Sequence, residues 1–221
     1  MDNKIMETSS EQKLAIPLTT IVPEYYSHSP LVRWLFFQRL RKAVCLIATM
    51  KPAVLLDLGC GDGTFIRLLQ QNNLLPLELY AIDYNINVQN LTPQMPFCNF
   101  SRQDLMRTNF ADHTFDAIVA LDVLEHIQLI DKALAEIKRI LKSQKFLLTS
   151  EPTESVLYKI LRFIAKGTFS METGPGAGRH YYRAREIDTI IKNSGFKRIN
   201  YQPIPFFYPL DLFHINLYQK I

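Results

Sequence analysis

Cysteine is scarce in this sequence, whose 221 residues include three, Cys45, Cys60 and Cys98. No two of them have the spacing of a metal-binding or redox pair, and no histidine cluster lies beside them in sequence. This pattern argues against a disulfide framework and against a zinc site, so we expect no metal ligands. Free thiols of this kind fit a reducing compartment, and a cytoplasmic location is expected.

Long apolar runs are absent as well. No hydrophobic segment approaches the roughly 18 residues that spanning a bilayer requires. The first residues, MDNKIMETSSEQK, are polar and include acids. The sequence therefore predicts a soluble protein, and it leaves peripheral contact with a membrane open.

Charge of one sign is not concentrated anywhere in the chain. The formal net charge is +4, and the basic residues are scattered, so nucleic-acid binding is not favoured. With 48% hydrophobic and 21% charged residues, the composition suits one compact domain with a large core. We expect a flexible leader at residues 1–23 and a single domain at residues 24–221, while the oligomeric state stays open.

Strand and helix patterns alternate along most of the chain. A helix is predicted from Pro30 to Met50, ending before Pro52. The segments that follow are the strand AVLLDL, the helix TFIRLLQQNN, the strands LELYAID, FCNFS and FDAIVALD, the helix IDKALAEIKRILK and the strand KFLLTSE. After an interruption, the helix REIDTIIKNSG and the strands FKRINYQPI and LFHINLYQKI close the chain. This alternation predicts a parallel sheet covered by helices on both faces.

Three glycines, Gly59, Gly61 and Gly63, stand at every second position after the first strand. Glycine is needed where the backbone adopts positive φ or where another molecule approaches closely. In doubly wound sheets, ligands bind outside the carboxyl ends of the strands, so we expect a ligand against this loop. A dinucleotide-binding motif would have a third glycine where this sequence has Thr64, and a phosphate-binding loop would be followed by a lysine, which is absent here. Both kinds of nucleotide-binding loop are therefore disfavoured.

The stretch LDLGCGDG at 56–63 resembles the first motif of class I S-adenosylmethionine-dependent methyltransferases, and three further segments follow in the family's order. These segments are AIDYN at 81–85, SRQDL at 101–105 and FDAIVALDVLEHI at 115–127. The resemblance runs from about Pro30 to the end of the chain. It implies an α/β fold with a doubly wound, seven-stranded, mostly parallel sheet of the Rossmann-like methyltransferase type, closed by a C-terminal antiparallel strand pair.

The resemblance also implies S-adenosylmethionine as the cofactor and suggests its contacts. Asp83 would take the ribose hydroxyls, Tyr84 would lie against the adenine, and Asp104 would meet the adenine amino group. The other implied contacts are Asp57, the backbone of Gly59, Cys60 and Gly61, Leu105, and Leu121 beside the methionine part. Carboxylates suit the donor groups of this cofactor. A helix cap or turn is the alternative for each acid, and above all for Asp104.

Methyl transfer is an in-line displacement that depends mainly on positioning, and a base is needed only when the acceptor arrives protonated. His126 is the candidate base because it follows the fourth strand directly and can accept a proton at neutral pH. Packing against the next helix, or capping it, is the alternative. His180 is a second candidate, with a loop anchor as its alternative. Arg33 is either a contact of the cofactor carboxylate, as in some similar enzymes, or an exposed helix charge.

Residues 152–182 break the alternation and are predicted to form a lid-like insertion above the crevice. An ordinary amphipathic surface helix is the alternative. The basic side of residues 155–166 could also contact an anionic membrane. Further apolar surface is expected from Phe206, Phe207, Tyr208 and Phe213.

The segment DVLEH is similar to the corresponding segment of methyltransferases that act on small and lipid-linked metabolites, such as the ubiquinone-pathway O-methyltransferases. We therefore expect a small-molecule acceptor that is hydrophobic or lipid-linked. The alternatives are a protein or RNA methyltransferase and a non-catalytic partner subunit that binds S-adenosylmethionine. An added recognition domain or dense basic face is not evident, and no N-P-P-Y-like segment indicates methylation of a nucleic-acid base. Acceptor identity and the choice of oxygen, nitrogen or carbon stay open.

Overall fold

The computed structural model describes residues 30–84, 88–153, 155, 179–207 and 210–221. The helices in these ranges are α1 (Pro30–Met50), α2 (Thr64–Gln71), α3 (Val88–Leu91), α4 (Ile130–Ile140) and α5 (Ala184–Asn193). The strands are β1 (Val54–Leu58), β2 (Glu78–Asp83), β3 (Asn99–Arg102), β4 (Phe115–Leu121), β5 (Leu141–Pro152), β6 (Phe196–Ile204) and β7 (Phe213–Lys220). A short 3₁₀ helix, Leu124–His126, follows β4.

Seven strands of the described chain form one sheet, in the order β3, β2, β1, β4, β5, β7, β6. Neighbouring strands from β3 through β5 are parallel. Strand β7 is antiparallel to both β5 and β6. The predicted doubly wound sheet with a C-terminal antiparallel pair is confirmed. Because the strand order reverses between β1 and β4, the switch point of the sheet lies beside the carboxyl end of β1.

Two hydrophobic clusters, one on each face of the sheet, make up the core. Leu55 of β1 belongs to the first cluster and Leu56 to the second, as the alternation of side chains along a strand requires. Helices α1 and α2 pack in the first cluster, and α4 and α5 pack in the second. Both faces of β4 are buried, which explains why its sequence is a continuous apolar run rather than an alternating one.

Two details differ from the sequence-based expectations. The helix predicted over 130–142 ends at Ile140, because Leu141 already pairs with Phe115 of β4 and begins strand β5. Tertiary strand pairing has overridden the helical period there. Phe213, expected to add apolar surface, is 1% exposed inside the first cluster, so that expectation was wrong, whereas Phe206 and Phe207 are exposed.

The predicted leader at 1–23, most of the predicted lid at 152–182 and Tyr208 lie outside the described residues. So does nearly all of the 155–166 segment with its predicted membrane contact. In the ranges that the structure covers, no helix combines the length and the apolar character that crossing a membrane requires.

Candidate functional site

The glycine loop leaves the carboxyl end of β1 with left-handed backbone at three positions. The φ angles of Gly59, Gly61 and Gly63 are 77°, 53° and 78°. A Cβ on Gly59 would overlap the side chain of Val123, and a Cβ on Gly63 would stand 2.6 Å from Met95 Cε. Neighbouring protein atoms and backbone conformation thus account for the glycines at 59 and 63 before any ligand is considered.

Asp57 carries a buried acceptor next to this loop. The residue is 3% exposed, and its Oδ2 is buried with no hydrogen-bond partner among the described residues. Burial, followed by the charges of Asp83 and Asp62, raises the pKa of Asp57 to about 8. A ligand that brings a positive charge or an N–H donor would satisfy this carboxyl group.

Asp83 ends β2 and holds the glycine loop in place. Its Oδ2 accepts a hydrogen bond from the backbone N–H of Gly61 at 3.0 Å. The backbone N–H groups of Gly59 and Cys60 also donate to the carbonyl of Ile82, at 2.8 and 3.1 Å. Since β1 and β2 are neighbours in the sheet, the loop and the Asp83 carboxylate lie side by side at the carboxyl ends of these strands, where ligands bind in doubly wound sheets.

Tyr84 follows Asp83 and presents an aromatic surface to solvent. The side chain is 63% exposed, and the guanidinium of Arg102 lies 5.3 Å from its ring centroid. Nε of Arg102 also donates to the Tyr84 carbonyl at 2.7 Å. A cation from β3 therefore helps to hold this exposed ring in place.

Asp104 lies in a turn after β3. Its Oδ1 accepts from the backbone N–H of Met106 at 2.9 Å, and its carbonyl accepts from Arg107 at 3.0 Å. The structure thus gives Asp104 the turn role that was its alternative, while leaving the side chain exposed at the edge of the crevice. Leu105 is half-buried and packs against the second core cluster. The preceding residue, Gln103, donates its N–H to the Asp83 carbonyl at 3.3 Å.

Cys60 is a small buried residue inside the loop. Burial is the main cause that raises the pKa of its thiol well above the usual range, with Asp57 and Asp83 adding to the effect. The thiol therefore stays protonated and is unsuited to act as a nucleophile. Its backbone is engaged within the loop, where its carbonyl accepts from the N–H of Gly63 at 2.9 Å.

An ion pair that was not predicted from sequence links α1 to the end of β4. Arg39, 3% exposed, pairs with Asp122, which follows Leu121 and has a φ of 55°. The guanidinium also lies 5.1 Å from the Phe36 ring and 4.9 Å from the Phe213 ring. Asp122 Oδ1 accepts from Ser150 Oγ at 3.1 Å.

Arg33, the arginine considered from sequence, is half-buried in the first turn of α1.

His126 and His180 meet just beyond the carboxyl end of β4, although they are far apart in sequence. Their ring centroids are 4.8 Å apart, and His126 Nδ1 lies 3.2 Å from the Arg179 carbonyl. Burial, together with His180, lowers the pKa of His126. This shift favours the neutral form of the His126 ring. With Nδ1 donating to Arg179, its Nε2 carries the lone pair that a base or a metal ligand needs.

Glu125 lies beside the two histidines and is 1% exposed. Its carbonyl accepts from the backbone N–H of Tyr181 at 2.7 Å, which ties the 179–181 segment to the 3₁₀ helix. The sequence placed Glu125 and His126 next to the fourth strand but could not show that His180 returns to them. No local spacing signals such a contact.

Comparison with known proteins gives one family and several relatives. Residues 33–201 match the profile of the methyltransferase domain family. An uncharacterized protein of Methanocaldococcus jannaschii is 31% identical over 110 residues, which cover 50% of this chain and 45% of that protein. The chain thus spans about half the length of this relative. The demethylmenaquinone methyltransferase of Bacteroides fragilis is 22% identical over 188 residues, covering 75% of this chain and 76% of the relative.

Solved structures share the fold at low sequence identity. A Pyrococcus horikoshii protein superposes on this chain with a TM-score of 0.68 and 16% identity. The match covers 94% of this chain and 97% of the Pyrococcus protein. The magnesium protoporphyrin IX methyltransferase of Synechocystis, solved with bound S-adenosylhomocysteine, has a TM-score of 0.61 and 16% identity. That match covers 88% of this chain and 89% of the other.

Proposed function

Because this chain belongs to the methyltransferase domain family, we propose that it transfers a methyl group from S-adenosylmethionine to a small hydrophobic or lipid-linked metabolite. As a member of this family, the chain is an S-adenosylmethionine-dependent methyltransferase. What we propose is the chemical class of the methyl acceptor. Two of the similar proteins are named for small-molecule acceptors, demethylmenaquinone and magnesium protoporphyrin IX. The predicted membrane contact through 155–166 stays a prediction.

The residues of the crevice fit the cofactor chemically. The observation that carries the assignment is the buried, unpartnered Oδ2 of Asp57 beside a loop of left-handed glycines. The cofactor is a cationic nucleoside with several N–H and O–H donors, and carboxylates are the acceptors that such groups need. Asp83 and the exposed Asp104 stand at the ends of the next two strands, where further donors would meet them.

Each remaining contact has a proposed role that its position supports. Asp83 would accept from the ribose hydroxyls and Tyr84 would lie against the adenine, while Asp104 would accept from the adenine amino group. The residues that complete the proposed set through backbone or apolar contact are Gly59, Cys60, Gly61, Leu105 and Leu121. Leu121, half-buried at the end of β4, would border the methionine part.

When bound, the cofactor supplies an electrophilic methyl group on a sulfonium. The chain's own residues hold the two reactants in line, exclude water and remove the acceptor's proton where there is one. His126 is the proposed catalytic residue, because its neutral ring has Nδ1 engaged by the Arg179 carbonyl and Nε2 available. This assignment concerns an acceptor that arrives as a hydroxyl.

Calorimetric titration with S-adenosylmethionine and S-adenosylhomocysteine tests the cofactor site. Asp83→Ala should weaken binding by about 2 to 4 kcal/mol, from two hydrogen bonds to a charged group with partial compensation by water. Asp83→Asn keeps an acceptor for the Gly61 N–H and should lose less. Glu78→Gln, at the exposed amino end of the same strand, is the control and should bind as the wild type does. Unchanged affinity in Asp83→Ala would remove this residue from the site.

A further inference from the structure

We propose that Glu125, His126 and His180 bind one divalent first-row transition cation beside the cofactor crevice. Each side chain offers one ligand atom, and these atoms lie within 4.8 Å of one another. This departs from the expectation of no metal drawn from the sequence. That expectation rested on local spacing, whereas the cluster joins the end of β4 to a segment before α5.

The donor set has a recognised metal chemistry. Two imidazoles and one carboxylate bind zinc in catalytic sites and iron(II) in sites that keep open positions. Bonds of about 2.0–2.2 Å would place neighbouring ligand atoms roughly 3 to 3.5 Å apart. The widest pair of ligand atoms, up to 4.8 Å apart, must therefore approach by up to about 1.3 to 1.8 Å around an ion, which rotation of the side chains can supply. Three protein ligands leave positions for water or a substrate oxygen.

The surroundings arrange the cluster in advance. The Arg179 carbonyl engages Nδ1 of His126 at 3.2 Å and so directs Nε2 towards coordination, as the outer contacts of metal-binding histidines do. The hydrogen bond from Tyr181 N–H to the Glu125 carbonyl, 2.7 Å long, holds the two segments together. Glu125 and His180 are 1% and 7% exposed, so two of the three ligands are shielded from bulk water.

The cluster lies next to the cofactor crevice. Glu125 and His126 belong to the 3₁₀ helix that begins directly after Val123, and the side chain of Val123 fills the space beside Gly59. Two of the three proposed ligands therefore follow, within three residues along the chain, the side chain that packs against the glycine loop. The donor set and its position together point to an acceptor that binds through oxygen.

The catalytic role of the cation rests on the proposed function. An acceptor hydroxyl bound to the cation loses its proton to solvent more readily, because the metal lowers its pKa. Its oxygen then forms the bond to the methyl group as the bond from methyl to sulfur breaks, leaving a neutral thioether. With the cation bound, this role replaces that of a base for His126, since the Nε2 lone pair that holds the cation does not accept the proton.

Zinc binding by the full chain, stripped of metal, tests the site directly. Calorimetric titration with ZnCl₂ should show one ion per chain. Glu125→Gln and His180→Ala should each weaken binding at least tenfold, because a missing ligand leaves two. His113→Ala is the matched control, because His113 is an exposed histidine just before the amino end of β4, and it should bind zinc as the wild type does. Titration with CoCl₂ gives a second readout, in which intensified visible bands should appear in the wild type and be lost in His180→Ala.

The outcomes separate the metal site from the cofactor site. The inference is overturned if the wild type takes up no zinc, or if His113→Ala weakens binding as much as His180→Ala does. Each variant is also titrated with S-adenosylhomocysteine, and retained affinity shows that the crevice is folded. Failure of the wild type to bind S-adenosylhomocysteine would refute the proposed function, whatever zinc does.

Discussion

Replacing Asp57 by asparagine should stabilise the protein at neutral pH in the absence of ligand. Burial in β1, with the nearby charges of Asp83 and Asp62, raises the pKa of this carboxyl group from 3.8 to about 8. In the unfolded chain the same group ionises near its ordinary value, about 3.9. Between those two pKa values the native state holds a proton that the unfolded state releases, so stability falls as the pH rises. Asparagine has the shape of the protonated carboxyl and no proton to lose.

The size of the effect follows from the pKa difference. At pH 7 the unfolded group lies about three units above its pKa, and each unit corresponds to about 1.4 kcal/mol. The upper limit is therefore about 4 kcal/mol, and we expect Asp57→Asn to gain about 2 to 4 kcal/mol at pH 7. The gain should shrink by about 1.4 kcal/mol per pH unit on acidification and vanish near pH 4. For a chain of this size it corresponds to a rise in Tm of roughly 5 to 15 °C at pH 7.

Urea unfolding of both proteins at pH 7 and pH 5, without ligand, measures this difference. Asp104→Asn is the control, since Asp104 is exposed and an amide oxygen can still accept from Met106. The control should change the free energy of unfolding by less than about 0.5 kcal/mol at either pH. The reasoning is refuted if Asp57→Asn is no more stable than the wild type at pH 7, or if its advantage is the same at both pH values.

Two further predictions concern the packing around the crevice. Arg39→Met should lower the free energy of unfolding by about 3 to 5 kcal/mol, because it leaves Asp122 without its buried partner. Urea unfolding should show part of this loss recovered in Arg39→Met/Asp122→Asn, and a fully additive double variant would contradict the coupling. Gly59→Ala should lose about 1 to 2 kcal/mol from its positive φ, plus the cost of overlap with Val123. In thermal unfolding, adding Val123→Ala should recover the part of the lost stability that is due to the overlap. Complete recovery would show that the positive φ of Gly59 does not contribute to the loss.

The sheet and its cofactor-side edge could be predicted from sequence because their signals are local. Apolar runs that end in Asp57 and Asp83 mark two strand ends, and strands alternating with helices define the parallel sheet. Parallel neighbours then bring those ends to one edge without further information. The doubly wound order itself followed from the resemblance of four motifs in sequence order.

The remaining features depend on contacts between distant segments. Arg39 reaches Asp122 from another element, and His180 returns to Glu125 and His126 across the segment that interrupts the alternation of strands and helices. Hydrophobic periodicity indicates the structure of a single helix or strand and not which distant residues meet. Neither of these two contacts could therefore be predicted from sequence. The surroundings of Gly59 are a similar case. The sequence indicates that this position has no room for a side chain, but it does not indicate that Val123 occupies the space.

We expect the buried carboxyl of Asp57 to couple stability to cofactor binding. Without ligand, keeping this group in the core favours the protonated form and lowers stability at neutral pH. A cationic ligand favours the ionised form, so its binding adds stability that grows with the logarithm of its concentration above Kd. Asp57→Asn removes both effects at once. The variant should therefore be more stable than the wild type when alone and should gain less from added S-adenosylmethionine, a combination that loss of packing at this position would not produce.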